Sequence, residues 1–273
     1  MNRRVATLLA LGAFVLLGAA ALAAPAHLAE PEPSRSFMGP GGVWPFGADR
    51  GGRPLLEYAQ QGARVVLGPA LVAGGVVALS SIVGGLLRCV GDPRVDAAVQ
   101  GVGEVLGALP RMVVILVTAL LIPSTSRGLL PLAVAWAVLA SPGAMDEAAA
   151  VAERLGGARF VEALRAHGFS WPRIFLFHVV ALNLRPVVVR QAAEVVTQVT
   201  FLELGLSYLA VQDAQASFTH PDSLKSWADL LYMGYPSIVL DDVPTGHALW
   251  TGLAMVALVT GIAKFATTAA RAR

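Results

Sequence analysis

Long uncharged stretches alternate with shorter polar ones along this chain. Residues 5–24 form an uncharged run of 20 and residues 65–87 one of 23. At about 1.5 Å per residue, each covers a hydrocarbon core of roughly 30 Å as a helix. Further apolar segments fall at residues 95–122, 128–145, 174–206 and 247–263. The pattern predicts an all-α, polytopic membrane protein of about six transmembrane helices. Two of the segments are not free of charge: the third carries Glu104 and Arg111, and the fifth carries Arg185, Arg190 and Glu194.

The first run has a second reading. Arg3 and Arg4 ahead of an apolar stretch that ends in small residues also describe a cleaved signal peptide. The later apolar segments favour an anchor. Residues 25–64, with a Pro/Gly-rich part at 31–45, and residues 207–246 are too long and polar for tight turns and read as solvated loops. Pro69, Pro110, Pro131, Pro142 and Pro186 read as helix bends or helix ends.

Composition agrees with the pattern. Of 273 residues, 56% are apolar and 14% charged, against roughly 25% charged in soluble domains. A net charge of +2 is too weak a field for a nucleic-acid binder. With an inward N-terminus, eleven of the twenty Lys and Arg fall on the cytoplasmic side, which predicts that both termini are cytoplasmic. The expected location is a cell's cytoplasmic membrane.

Several chemistries lack their residues. The single cysteine, Cys89, allows no intramolecular disulfide and no Cys-based zinc site, and the five histidines form no HExxH pair, so no metal site is expected. A phosphate-binding P-loop needs Gly-Lys followed by Ser or Thr, but Lys225 and Lys264 follow Leu224 and Ala263. Gly101-Val-Gly103 has Leu106 in place of a third glycine and reads as small-residue helix packing. No cofactor and no catalytic residue are expected. Within the fifth segment Arg190 and Glu194, four apart, either pair on one helix face or line a water-filled path, with Arg185 a third candidate for that path.

The longest inside loop, residues 146–173, reads as helix, break, helix. Residues 159–167 are a short helical stretch, Gly168 suits a C-terminal cap, and Ser170 with Pro172 suits the start of the next helix. Ala163 and Ala166 keep part of the surface small, while Glu162 and Arg165 remain for polar contacts. That geometry suits a mechanical coupler to another protein.

Here the residues resemble the inner-membrane permease subunits of ATP-binding-cassette importers, whose cytoplasmic loop has a Glu-Ala-Ala, three residues, then Gly pattern. In this chain it is Glu162-Ala163-Leu164, three residues, Gly168. The literal triplet Glu147-Ala148-Ala149 has Glu153 where the glycine belongs and reads as a decoy. The longer run from Phe160 through Trp171 and Ile174 to His178 is similar to the peptide and nickel importer branch. So are Trp44 to Arg53 with Tyr58 and Gly62-Ala63-Arg64, then Asp96 and Glu104 ahead of Pro110, the stretch from Glu203 to Leu209, and Ser226-Trp227. Departures are Leu164, Ala181 in place of a common proline, Arg185 in a usually uncharged stretch, and an unusual outer loop after Val211.

The resemblance implies the MetI-like fold of type I importer permeases: residues 1–64 as an N-terminal helix and outer loop, and residues 65–273 as the permease core. It implies an ATPase-docking loop carrying Glu162, Ala163, Arg165, Ala166 and Gly168. The implied partners are a second permease subunit, two ATPase subunits that bind and hydrolyse the ATP, an extracytoplasmic solute-binding protein and the lipid bilayer. Peptide is the implied cargo, with nickel or another small solute as the alternative. A rival reading is a non-transporting assembly or accessory protein on the same scaffold.

Overall fold

In the computed structural model, residues 3–90, 92–122, 128–155, 157–212, 224–239 and 246–271 are described. Ten α-helices follow one another among them: α1 (Arg3–Leu22), α2 (Leu55–Val90), α3 (Pro93–Ala108), α4 (Arg111–Leu121), α5 (Leu129–Arg154), α6 (Gly157–Ala166), α7 (Arg185–Gln212), α8 (Trp227–Gly234), α9 (Pro236–Val239) and α10 (Gly246–Arg271). A π-helical segment, Arg173–Leu184, runs directly into α7. The described residues contain no strand, so the protein is all-helical.

Four stretches are long and apolar enough to cross a membrane: Leu55–Cys89, Leu129–Arg154, Arg173–Ser207 and Gly246–Arg271. The bent pair α3 and α4 makes a fifth if counted as one span. By length and composition they are consistent with a multi-pass membrane protein. In α1, the apolar stretch Gly12–Leu22 stands beside them.

The third apolar segment, expected as one span over 95–122, is bent by 76° between α3 and α4 at Pro110, one of the prolines read as a helix bend or end. Leu109 is extended at φ −79°, ψ 126°, and Pro110 follows it. Proline disfavours the helical conformation of the residue before it and has no N–H to continue the ladder, so the helix ends there. Pro69 and Pro142, by contrast, lie inside α2 and α5. The small pair expected to pack in α3 divides: a side chain at Gly103 would touch Pro142, and one at Gly101 would meet open space.

Helices α2, α5 and α7 form the centre. Ala70, Ala73 and Val77 on α2 recur at helical spacing and meet Ala133, Ala137 and Ala144 on α5 and Val195 and Val199 on α7. Small residues let these backbones come close: a Cβ at Gly84 would lie 2.6 Å from the Met145 Cα.

Both expected loops contain ordered structure. Helix α2 begins at Leu55, so the 64/65 division falls inside it. At this first end, Asp49 Oδ1 accepts from the Gly51 and Arg53 N–H groups, both at 2.8 Å, and Oδ2 accepts from the Tyr58 hydroxyl at 2.7 Å. Gly52 has φ +78°, and a Cβ there would stand 1.9 Å from the Glu32 carbonyl oxygen, so only glycine fits the turn. In the second region, Ser226 and Asp229 form a capping box for α8, whose Trp227 is fully buried. Its indole N–H donates to the Ala59 carbonyl at 3.0 Å. Apolar patterning missed α8 because eight residues are too few to show a membrane-length run.

Candidate functional site

The far end of the bundle carries α6. Val161 is buried, and Phe160 and Leu164 pack with it against Cys89, Ala148, Ala152 and Ile174. That i, i+1, i+4 spacing holds one face of α6 to the core. Glu162, Ala163, Arg165 and Ala166 form the opposite face, and all four are exposed, as is Gly168.

A Schellman motif stops the helix. Gly168 has φ +82°; its N–H donates to the Arg165 carbonyl at 2.8 Å, and the Phe169 N–H donates to the Leu164 carbonyl at 3.2 Å. Phe169 and Leu164 both lie against the core cluster, the apolar contact that accompanies this cap. The next helix begins with the Ile174 N–H donating to the Ser170 carbonyl at 3.0 Å. The expected helix, break, helix is therefore present, except that residues 146–154 belong to the continuous α5.

Aromatic groups brace the turn. The Arg165 guanidinium lies 4.8 Å from the centre of the Trp171 ring, which stacks on Phe175 at 5.3 Å. Arg173 lies 5.0 Å over Phe169, and Phe169 meets the His178 ring edge-on at 5.1 Å. Arg165 thus has an intramolecular partner that the sequence pattern did not reveal. Ala181, the position of the missing proline, lies within the π-helical segment that joins this turn to α7.

A polar seam runs between α5 and α7. The Arg190 guanidinium and the Gln191 amide both donate to Glu147 Oε2. One to two turns further along α7, Gln198 donates to Glu194 at 3.2 Å and accepts from the Trp136 indole N–H at 2.8 Å. The Arg190 and Glu147 side chains are 36% and 31% exposed, so the seam is open along one side.

This corrects the expected Arg190–Glu194 pair. Arg190 reaches across to another helix because the α5 carboxylate lies opposite it, and Glu194 takes the amide of Gln198 instead. Arg185 belongs to neither arrangement: it is exposed and forms no ion pair among the described residues. Glu147, set aside from the docking pattern on its sequence, is the centre of the seam; a carboxylate just past an apolar segment was the available signal.

A second ionic cluster ties α2, α3 and α5 near α6. Arg88 donates to Asp96 and, at 2.8 Å, to Glu153. At the first end, Gln61 is fully buried, donates to the Pro25 carbonyl at 3.0 Å and accepts from the Lys225 N–H at 2.9 Å. Asp49, Tyr58, Gln61 and Trp227 therefore assemble one cap from segments far apart in sequence. Glu203, also fully buried, accepts from Ser207 at 2.8 Å; the sequence marked it only as the start of the stretch to Leu209, with no role of its own.

Among the described residues no group of His, Cys, Asp and Glu side chains forms a metal cluster. Comparison of the chain with protein-family models and with curated proteins returns no match.

Proposed function

We propose that this protein is the membrane-spanning permease subunit of an ATP-binding-cassette importer, with peptide as the favoured cargo. The observation that carries the reading is the exposed face of α6, closed by Gly168 and anchored by Phe160, Val161 and Leu164. A short helix fixed on one face, open on the other and joined to the bundle at both ends transmits a push into the spans. Glu162 and Arg165 supply polar contacts, and Ala163 and Ala166 let a partner's groove approach closely.

In this reading α6 faces the cytoplasm and enters a cleft of an ATPase subunit. ATP binding by two such subunits biases the bundle between inward and outward openings, because each state of the ATPase pair holds α6 in a different place. The α5–α7 seam then lines the solute path, shared with a second permease. An extracytoplasmic binding protein delivers solute at the end capped by Asp49 and Trp227. The chain itself holds no ATP and does no hydrolysis.

The test is co-purification of the tagged chain in detergent with a candidate importer ATPase. The wild type is compared with a Glu162→Ala, Gly168→Val double variant of equal membrane abundance. Capture by the wild type and loss in the variant is the expected result. Equal capture by both removes α6 as the main contact, and capture by neither favours the accessory-protein reading.

A further inference from the structure

An apolar groove of about 500 Å³ lies between α1, α2, α7 and α10. Leu71 and Gly75 of α2, Val188 and Ala192 of α7, and Phe265 and Ala269 of α10 are among its walls. Among the described residues its walls carry no Asp, Glu, Lys or Arg. We propose that this groove and Arg185 form a binding site for one anionic glycerophospholipid, with an acyl chain in the groove and the phosphate at the guanidinium.

Three observations converge on that ligand. The first is length. Along α10 the lining extends from Val259 to Ala269, about 15 Å at the helical rise, which is half a hydrocarbon core and so the depth of one leaflet.

The second is charge. Arg185 stands one turn before Val188 and Val189 on the helix face that continues through Ala192 and Val196, all four of which line the groove. It is exposed and unpaired among the described residues. An exposed guanidinium with no carboxylate partner among the described residues is suited to a phosphate, which it can hold bidentately.

The third is depth. A Cβ at Gly85 would lie 2.4 Å from Leu184, so Arg185 sits near the last turns of α2, the end of that helix that carries the Arg88–Asp96–Glu153 contacts. Its long side chain reaches the headgroup layer while the groove runs inward below it. The site needs only that these helices span a bilayer, so it stands apart from the transport reading.

The measurement is native mass spectrometry of the full chain released from detergent after exchange into phosphatidylglycerol or phosphatidylcholine of the same acyl chains. One retained phosphatidylglycerol is expected, against little phosphatidylcholine. Arg185→Gln is expected to lower phosphatidylglycerol retention about fivefold, the effect of one cation at an anionic headgroup, while leaving phosphatidylcholine unchanged. Gly75→Phe tests the groove, since a Cβ there meets open space; retention of both lipids is expected to fall while the gel-filtration profile is kept. Equal retention of the two lipids, or a wild-type level of phosphatidylglycerol in either variant, overturns the site.

Discussion

The Arg190 guanidinium on α7 donates to the Glu147 carboxylate on α5, joining helices through residues 43 apart in sequence. Gln191 donates to the same oxygen, so one carboxylate holds two successive positions of α7. With both charged side chains about a third exposed, the pair lies between a solvated surface bridge and a buried one, worth about 2 kcal/mol when one partner is removed. Arg190→Gln and Glu147→Gln should each lower the thermal midpoint in detergent. The double variant should fall by less than the sum of the two, because one lost pair is then counted twice. Additive losses would mean that the two groups do not interact.

Gly62 lies under Trp227. A Cβ at Gly62 would stand 2.2 Å from the indole Cδ1, so Gly62→Ala should cost about 1–3 kcal/mol through overpacking and shift the Trp227 fluorescence as the ring leaves its buried site. Gly68 is the internal control, as a Cβ there meets nothing within 4 Å. Gly68→Ala should be neutral or stabilise α2 by about 0.5–1 kcal/mol. Similar effects at the two sites would dismiss the close contact.

Asp49 organises the loop before α2 with three accepted hydrogen bonds. Asp49→Ala leaves two N–H groups and the Tyr58 hydroxyl without that partner, a loss of about 2 kcal/mol of local order. Trypsin should then cut after Arg50 much faster than in the wild type. Asp49→Asn keeps the oxygen that serves Gly51 and Arg53 and should be cut at an intermediate rate. An unchanged rate in Asp49→Ala would show that the loop is held by other contacts.

At Gly168 the cost is in the backbone alone. With φ at +82° and nothing within 4 Å of an added Cβ, Gly168→Val should be strained by about 1–2 kcal/mol, whereas Gly168→Asn should be nearly neutral because asparagine tolerates left-handed backbone. Hydrogen exchange of the Gly168 and Phe169 amides, which close the Schellman turn, should quicken in the valine variant only. Equal exchange in both variants would argue against the positive φ.

Legibility in the sequence followed the range of the interactions. Gly168 as a cap and the exposed face of α6 were readable because a Schellman turn and a helical face are settled within a few residues. Asp49, Tyr58 and Trp227 were noticed separately, but nothing local tells that the Trp227 indole N–H ends on the Ala59 carbonyl, 168 residues away. Glu147 shows the opposite failure: its neighbours Ala148 and Ala149 resemble a docking triplet, yet its role is set by Arg190 on a distant helix.

The sequence by itself determined that the chain is helical, with several helices long and apolar enough to cross a bilayer, because runs of apolar side chains of membrane length fit few other states. It also determined where local chemistry ends helices, as at Pro110 and Gly168. The tertiary structure decided which charges meet. Arg190 takes Glu147 rather than Glu194, and Arg185 takes neither, because side-chain partners depend on how α5 and α7 are rotated against each other. That rotation is set by packing small residues such as Ala137, Ala144 and Val199 in the centre, a cooperative outcome of the whole bundle that no single stretch of sequence contains.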